Sequence, residues 1–429
     1  MKLDWKSLII GAIVLLGLVT IIAISIFTRS STLNLPTVLD YDPWWWFRHA
    51  KEIYDNNFQI PKWDILSYYP PGRPYQLNQG WPYTIAAIYA TLHNFTSITF
   101  MQAGIIAPLI LVALSPIFAF LLGRLLSNEI GGLVGALFVV VAPTFISVSM
   151  AGYADSDALT VFYSLMTIYT IFLAIKYSSK KWFISIPLYA LAAVTNLIYI
   201  FNWGAGWFSS LLFLAFIPAF IIFRLLEEIW HQKKFKFHWE NLQGDTKNIF
   251  VPLVIMFILI NGAGYLLGFN TMFHSLIGGL AFTGIGGEPL IVNISVAELQ
   301  TVNIFTLNGF YSVAGRVGLL PTILTLIGLP VLALYKFFRR EKINYVEVFL
   351  FLWALVTFYL ILKGVRFSLL FSIAAGISSG YVIGNIFSYL KNKNILLLSS
   401  VSAILLVFVL SSISSAYQVG YSSGAGLAV

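Results

Sequence analysis

The sequence predicts an all-α membrane protein that crosses the bilayer about eleven times, and up to thirteen. Of its 429 residues, 59% are hydrophobic and only 10% are charged. Apolar runs of about 20 residues, the length that a helix needs to cross a bilayer core, recur along nearly the whole chain. Helices are expected because they satisfy their own backbone hydrogen bonds in lipid, which an open sheet cannot do.

The predicted spans follow the hydropathy of the chain. They cover residues 7–28, 99–123, 130–147, 158–176, 182–201, 206–224, 249–268, 316–336, 345–363, 367–389 and 394–412. The first is too long for a removed signal peptide and lacks the small-residue cleavage site of one. Residues 81–97 are half the length of a span and indicate an interfacial or re-entrant segment. Residues 202–206 must form a tight turn between two spans.

The basic residues predict which side of the membrane each connection occupies. With the N-terminus in the cytoplasm, 17 of the 25 Lys and Arg residues lie on the cytoplasmic side, as the positive-inside rule requires. The net charge of +8 is therefore a property of the face near anionic lipids and indicates no nucleic-acid partner. We expect a multi-pass protein of the cell membrane with an external C-terminus. The absence of cysteine excludes disulfides and thiolate chemistry.

Two of the predicted outer connections are long, residues 29–98 and 269–315. Long loops in a compact protein are usually functional or disordered. These two are rich in Trp, Tyr, Gly and Pro and contain no low-complexity polar tract, so we expect them to be ordered. The sequence shows no internal repeat, which disfavours a transporter built from inverted repeats.

Acidic residues occur on the predicted outer face as pairs one residue apart. Asp40 and Asp42 lie in "LDYDPWWWFR", and Asp155 and Asp157 lie in "AGYADSD", where one span ends and the next begins. A further acidic residue, Glu298, lies in "NISVAELQ" in the second long loop.

Pro43 suits the first residue of a helix, because its missing N–H needs no partner there. The sequence therefore predicts Asp42 as the N-cap of a short helix over residues 44–56, with an aromatic face in the membrane interface.

Carboxylate oxygens held on loops at helix ends are the ligands that Mg²⁺ and Mn²⁺ prefer. A divalent ion at such a site would counter the phosphate of a lipid-linked leaving group. The alternative is that each Asp only caps a helix, which is ordinary helix chemistry. The Asp-x-Asp spacing by itself leaves both interpretations open.

Four motifs, in this order along the chain, together resemble the membrane-embedded catalytic subunit of oligosaccharyltransferase in its archaeal form. "DYDPWWWFR" is similar to the first acidic motif of the family and places Asp42 at its aspartate. "AGYADSD" is similar to the second acidic motif, with Asp155 and Asp157 at its acidic positions. "SVAE" resembles the loop motif that ends in glutamate, here Glu298, and "GVRF" resembles the motif that carries an arginine near the substrate phosphate, here Arg366.

The resemblance implies a GT-C-type glycosyltransferase fold and transfer of a glycan from a dolichol-linked phosphate or diphosphate to Asn of an Asn-x-Ser/Thr sequon. It implies that Asp42, Asp155, Asp157 and Glu298 surround Mn²⁺ or Mg²⁺, and that Asp42 and Glu298 also hold the acceptor amide as the catalytic pair. Arg366 would neutralise the departing phosphate. The alternative for Arg366 is an interfacial, snorkelling arginine. Implied partners are the lipid-linked oligosaccharide, the acceptor polypeptide, membrane lipids, and accessory subunits or a missing soluble domain.

The sequence departs from the family pattern at two places. The family often has an arginine seven residues before the aspartate of the second motif, where this chain has Val148. The family also continues past the last span into a soluble domain with a Trp-Trp-Asp-Tyr-Gly motif, and no such string occurs here. We therefore expect a transmembrane catalytic domain over residues 1–412 and the start of an absent external domain at 413–429.

Two other functions stay open at this point. One is a different GT-C transferase that uses lipid-phosphate sugars, such as an O-mannosyl type, which the "SVAE" loop and the second acidic pair disfavour. The other is a non-enzymatic transporter or lipid scramblase. Transporters keep ionisable groups near the bilayer midplane, and the middles of the predicted spans are essentially free of them.

Overall fold

The structure is a computed structural model that describes residues 5–75, 80–232, 246–269, 299–339, 341, 344–391 and 395–427. From the N-terminus the helices are α1 (Trp5–Phe27), α2 (Tyr41–Asp55), α3 (Gly80–His93), α4 (Phe100–Leu126), α5 (Glu129–Val140), α6 (Pro143–Ser147), α7 (Asp157–Lys176), α8 (Trp182–Asn202), α9 (Phe208–Gln232), α10 (Val251–Leu266), α11 (Leu307–Val317), α12 (Leu319–Ile323), α13 (Leu329–Phe338), α14 (Tyr345–Lys363), α15 (Ser368–Lys391) and α16 (Ile395–Leu427). Single helical turns of different pitch connect or extend some of them, at Thr246–Phe250, Leu324–Gly328 and Val365–Phe367.

Ten helices in the described part of the chain are long and apolar enough to cross a membrane. They agree with ten of the eleven predicted spans. The prediction of one continuous helix over residues 130–147 is wrong, because α5 ends at Val140 and the short α6 begins at Pro143. Ala142 has φ −61° and ψ 122°, the extended conformation that a following proline favours, and this breaks the helix. At about 18 Å, α5 alone is shorter than the ~30 Å hydrocarbon core.

The interior of the bundle is built around α15, the most deeply buried of the ten candidate spans. Glycines on α15 face glycines on α5, and the two helices approach very closely there. A Cβ atom on Gly380 would lie 2.2 Å from the carbonyl oxygen of Gly131. Small residues at such positions permit the close backbone contact on which helix association in membranes depends.

The last helix, α16, is longer than predicted. The sequence predicts a span over residues 394–412, and the structure has one helix from Ile395 to Leu427. Its 33 residues extend about 50 Å, which exceeds the bilayer core. Residues 413–427 therefore continue this helix.

The structure describes the first long loop over residues 29–75 and 80–98. It contains α2, α3 and a two-stranded antiparallel hairpin, β1 (Trp63–Asp64) and β2 (Arg73–Pro74). The half-length segment over residues 81–97 is the 14-residue helix α3, which packs against α2 and α4. The tight turn predicted at residues 202–206 is also confirmed, since the N–H of Gly206 donates to the carbonyl of Trp203 at 2.8 Å.

Candidate active site

The helix that carries Asp42 begins two residues earlier than predicted. Its N-cap is Asp40, whose carboxylate accepts a hydrogen bond from the N–H of Tyr41 at 2.7 Å. Asp40 has φ 69° and ψ 171°, a strained backbone conformation that residues other than glycine rarely adopt. The prediction of Asp42 as the N-cap and Pro43 as the first helical residue is therefore wrong. Asp42 lies in the first turn of α2, and its exposed carboxylate is not used by the cap.

The start of α2 contacts the second acidic motif. Trp46 lies one helical turn after Asp42 and so shares its face of α2. The indole N–H of Trp46 donates to Oδ1 of Asp155 at 2.8 Å. The backbone N–H of Ser156 donates to the same oxygen at 2.5 Å. These bonds fix the Asp155 carboxylate beside the helix that carries Asp42.

The aromatic residues of α2 face the protein more than the sequence predicts. Phe47 is buried and packs on Phe100, with ring centroids 5.3 Å apart. The indole of Trp46 donates a hydrogen bond to Asp155. Trp45 packs edge-on against His49, with ring centroids 4.0 Å apart. Tyr41 and Trp44 are exposed, at 90% and 45%.

The two acidic motifs also interact through charge. Burial raises the pKa of Asp155, and the negative charge of Asp42 raises it further. The hydrogen bonds from Ser156 and Trp46 act in the opposite direction. Two carboxylates that repel each other in this way favour a cation between them, or a shared proton.

The turn before Asp155 is fixed on both sides by the first loop and α4. Gly152, at φ 83°, donates its N–H to the carbonyl of Ile105 and accepts a bond from the N–H of Leu39, both at 2.9 Å. The carbonyl of Ala154 accepts from the indole of Trp81 at 2.7 Å. The second acidic motif is thus a rigid turn.

The structure describes three of the four predicted ligands, Asp42, Asp155 and Asp157. Asp157 is the first residue of α7, where a carboxylate is favourable for the helix dipole. In the described ranges of the chain, no group of three or more His, Asp or Glu side chains is close enough to hold a metal ion. Glu298 lies outside the described residues. The helix of Asp42 contacts Asp155 through Trp46, and the role of the four residues as metal ligands stays a prediction.

Arg366 is exposed, on the single turn Val365–Phe367 between α14 and α15. The chain that follows Glu298 runs beside this turn. The N–H of Val365 donates to the carbonyl of Gln300 at 3.2 Å, and the N–H of Val302 donates to the carbonyl of Leu362 at 3.0 Å. The "GVRF" motif and the residues directly after "SVAE" are therefore neighbours.

A buried contact joins this turn to the segment that leads into the second acidic motif. The hydroxyl groups of Ser368 and Thr144 are 2.8 Å apart, and both residues are buried. Ser368 begins α15 two residues after Arg366, and Thr144 lies in α6. The helix that leads into the turn of Asp155 therefore contacts the start of the helix that follows Arg366.

Sequence reasoning missed Asp64, a buried carboxylate that fastens α2 to the hairpin. It accepts bonds from Arg48 at 2.7 and 2.9 Å and pairs with Nε2 of His49 at 3.0 Å. Burial alone would raise the pKa of Asp64, but the bonds from Arg48, Ser67 and His49 outweigh it and hold that pKa far below its usual range. A lone acidic residue in the apolar and aromatic stretch "KWDILSYY" was the available signal.

A basic residue from elsewhere in the chain contacts the residue after Val148, the position where the family often has an arginine. Arg29, just after α1, donates from Nε to the hydroxyl of Ser149 at 2.7 Å. No spacing rule connects residues 120 positions apart, so this contact could not be predicted from the sequence.

Comparison with known proteins places this fold among glycosyltransferases. The family model "Oligosaccharyl transferase STT3, N-terminal" matches residues 12–417. A dolichyl-phosphooligosaccharide-protein glycotransferase of Methanococcus voltae is 25% identical over 386 residues, which are 82% of this chain and 42% of that protein.

Several solved structures also have a fold similar to that of this chain. Archaeal oligosaccharyltransferase AglB from Archaeoglobus fulgidus, in complex with an inhibitory peptide and a dolichol-phosphate, has a TM-score of 0.72 at 18% identity, covering 98% of this chain and 56% of that one. Another structure of the Archaeoglobus fulgidus oligosaccharyltransferase, a complex with Zn and sulfate, has a TM-score of 0.63 at 18% identity, covering 95% and 53%. ArnT from Cupriavidus metallidurans, bound to undecaprenyl phosphate, has a TM-score of 0.50 at 11% identity, covering 96% and 76%.

These structural likenesses confirm the GT-C membrane fold. The chain spans about half the length of the oligosaccharyltransferases that it matches. Because the family model covers nearly the whole of this chain, the chain belongs to the oligosaccharyl transferase STT3 family.

Proposed function

We propose that this chain forms the transmembrane catalytic part of an oligosaccharyltransferase. It moves a glycan from a dolichol-linked phosphate or diphosphate to the amide nitrogen of Asn in an Asn-x-Ser/Thr sequon. One observation carries the proposal: Trp46, on the helix of Asp42, donates a hydrogen bond to Asp155, so two separate acidic motifs meet. The AglB neighbour, which contains a peptide and a dolichol-phosphate, supports the two classes of substrate.

The chemistry of the pair fits a divalent cation. Asp42 and Asp155 offer hard oxygen ligands, and their mutual repulsion is what a cation would relieve. They would hold Mn²⁺ or Mg²⁺, with Asp157 and Glu298 as further ligands. A bound ion would supply positive charge to stabilise the departing phosphate. The Zn and sulfate of the Archaeoglobus fulgidus structure support a metal and an anion in that relative.

The residues of the chain have separate roles in the transfer. Asp42 and Glu298 accept hydrogen bonds from the acceptor amide, which raises the electron density on its nitrogen and orients it. The new bond forms between that nitrogen and the anomeric carbon as the carbon–oxygen bond to phosphate breaks. The proton lost by the nitrogen passes to a carboxylate of this pair. Arg366 holds the departing phosphate by charge-assisted hydrogen bonds.

The distribution of basic residues supports the orientation of the site. Asp155 follows α6 and contacts Trp46 of the first loop, so α5 and α6 together count as one crossing. With that crossing, 17 of the 25 Lys and Arg residues are cytoplasmic, which supports a cytoplasmic N-terminus and an active site and C-terminus on the outer face. A lipid-linked donor then meets its acceptor at the outer boundary of the membrane.

The test is a transfer assay with the full chain purified into lipid nanodiscs. The protein is incubated with Mn²⁺, a lipid-linked oligosaccharide and a fluorescent Asn-x-Thr peptide, and the peptide mass is measured. We expect a mass increase equal to the glycan, none with a Gln-x-Thr peptide, and none with Asp42→Ala. Asp55→Ala is the matched control, since Asp55 lies at the far end of α2 in an exposed pair with Lys51.

An unmodified Asn-x-Thr peptide with the wild-type chain contradicts the proposal. Rapid flux of small solutes across vesicles containing the protein would favour a transporter instead.

A further inference from the structure

Arg29 is a charged side chain with no exposed surface, located two residues after the end of α1. Its guanidinium donates four hydrogen bonds. Nε donates to Ser149 Oγ at 2.7 Å and Nη2 to the carbonyl of Val140 at 2.9 Å. Nη1 donates to the carbonyl of Ser25 at 3.0 Å and to Thr28 Oγ1 at 3.2 Å. Four of the five N–H groups of this side chain therefore have fixed directions.

These bonds enclose one short element, α6. Val140 is the last residue of α5, and Ser149 follows α6 by two residues. Between them, the ring of Phe145 in α6 lies 4.5 Å from the guanidinium carbon. The last carbonyls of a helix lack partners within it, and a cation at that end is favourable. Arg29 thus fixes the position of α6 against the end of α5.

Hydrogen bonds from the residues around Arg29 also hold the segment just before Asp155. The N–H of Ala151 donates to the carbonyl of Arg29 at 3.0 Å. The carbonyl of Ala151 accepts from the hydroxyl of Thr32 at 2.6 Å. Ala151 is only four residues before Asp155, and the turn between them is rigid.

The other side of α6 faces the arginine motif. Thr144 in α6 contacts Ser368, and Ser368 follows Arg366 by two residues. A shift of α6 would therefore move Asp155 and Arg366 relative to each other. Burial lowers the pKa of Arg29 to about 9, which leaves the side chain protonated at neutral pH. A buried cation must keep its hydrogen bonds, so the attachment resists displacement.

We propose that Arg29 is a positioning residue for the active site. By holding α6 it sets the separation of Asp155 from Arg366, although it contacts neither of them. The claim that Arg29 affects catalysis rests on the proposed function. The claim that Arg29 holds α6 in place does not, and it is tested first.

The first measurement is hydrogen–deuterium exchange of the full chain in detergent, followed over residues 149–156. We expect Arg29→Gln to accelerate exchange there at least ~10-fold, because opening this turn no longer breaks the bonds to the guanidinium. Arg29→Lys keeps the charge but cannot reach Val140 and Ser149 with one ammonium group, so we expect an intermediate rate. Wild-type exchange in both variants would overturn the proposal, and Arg29→Lys alone decides it if Arg29→Gln does not fold.

The matched control is Lys336→Gln, which removes a different cation, the partner of the buried Glu347. That pair contacts α15 at Tyr381, about 20 Å along the helix from Ser368. We expect Lys336→Gln to lose about as much thermal stability as the Arg29 variants. We expect it to keep the wild-type exchange rate over residues 149–156. Equal acceleration in the control would mean that the role of Arg29 is general stability, which also overturns the proposal.

The second measurement separates positioning from folding at the site itself. Electron paramagnetic resonance of free Mn²⁺ gives its dissociation constant, which we expect Arg29→Gln to raise about tenfold. In the transfer assay kcat should fall while KM for the peptide stays unchanged, because Arg29 does not touch substrate. If the wild-type protein neither binds Mn²⁺ nor transfers glycan, the proposed function fails, and the exchange result still decides the role of Arg29.

Discussion

Replacing Trp46 with phenylalanine is the most specific perturbation of the candidate site. The substitution keeps an aromatic ring at the position and removes the indole N–H that donates to Asp155 at 2.8 Å. A hydrogen bond to a charged group contributes about 1.5–3 kcal/mol. At about 1.4 kcal/mol for each factor of ten, the loss corresponds to roughly 10–100-fold in any equilibrium that needs Asp155 in its present position.

The equilibrium to measure is Mn²⁺ activation of the transfer reaction. We expect Trp46→Phe to raise the Mn²⁺ concentration for half-maximal rate by about 10–100-fold, the range seen when residues that orient metal ligands are removed. At saturating Mn²⁺ the rate should recover substantially, because Asp155 itself is retained. Elution on size exclusion and thermal melting should stay close to wild type.

The matched control is the adjacent residue. The indole N–H of Trp45 donates to the hydroxyl of Ser67 at 3.3 Å, whereas that of Trp46 donates to Asp155. Trp45→Phe is therefore the same chemical change without the loss at Asp155, and its Mn²⁺ dependence should match wild type. If Trp46→Phe also matched wild type, the contact between the two acidic motifs would have no role in the reaction.

Three further predictions concern the loop, the phosphate residue and the bundle. Asp64→Asn should lower the free energy of unfolding of the first loop by about 3 kcal/mol, seen as faster proteolysis there. Because the pKa of Asp64 is lowered by its partners, the wild-type stabilisation is complete above pH ~4 and is lost only in stronger acid, a dependence that the variant should lack. Arg366→Lys should slow transfer about tenfold more than it weakens peptide binding, since one ammonium cannot hold a phosphate bidentately. Gly380→Ala should destabilise the bundle by about 3 kcal/mol in thermal unfolding. Gly262→Ala, with no atom within 4 Å of the added carbon, should be neutral.

The sequence predicts the spans well because lipid imposes one length and one kind of surface on every crossing helix. It also predicts Asp42 and Asp155 as site residues, since paired carboxylates between apolar runs stand out, and their role stays a prediction. The predicted start of α2 was wrong because it depends on a strained, positive-φ backbone at Asp40, which the surrounding structure selects. The single helix predicted over residues 130–147 is broken just before Pro143. An average of hydropathy over many residues does not reveal the effect of one proline.

Contacts between distant parts of the chain could not be predicted. Three consecutive tryptophans give no indication of which one faces a carboxylate, and only packing of α2 against the second motif directs Trp46 to Asp155. Arg29 looks in sequence like an ordinary basic residue at a membrane boundary, and its burial follows from the break between α5 and α6. The ligand role of Glu298 falls outside the described residues and stays a prediction.

The most direct test of the central claim is an anomalous difference map from crystals of the full chain grown with Mn²⁺. The account predicts a strong peak in direct contact with carboxylate oxygens of both Asp42 and Asp155, on the side of α2 where Trp46 meets the second motif. A peak that contacts only one of them, or Mn²⁺ bound elsewhere while these two carboxylates face apart, would contradict it.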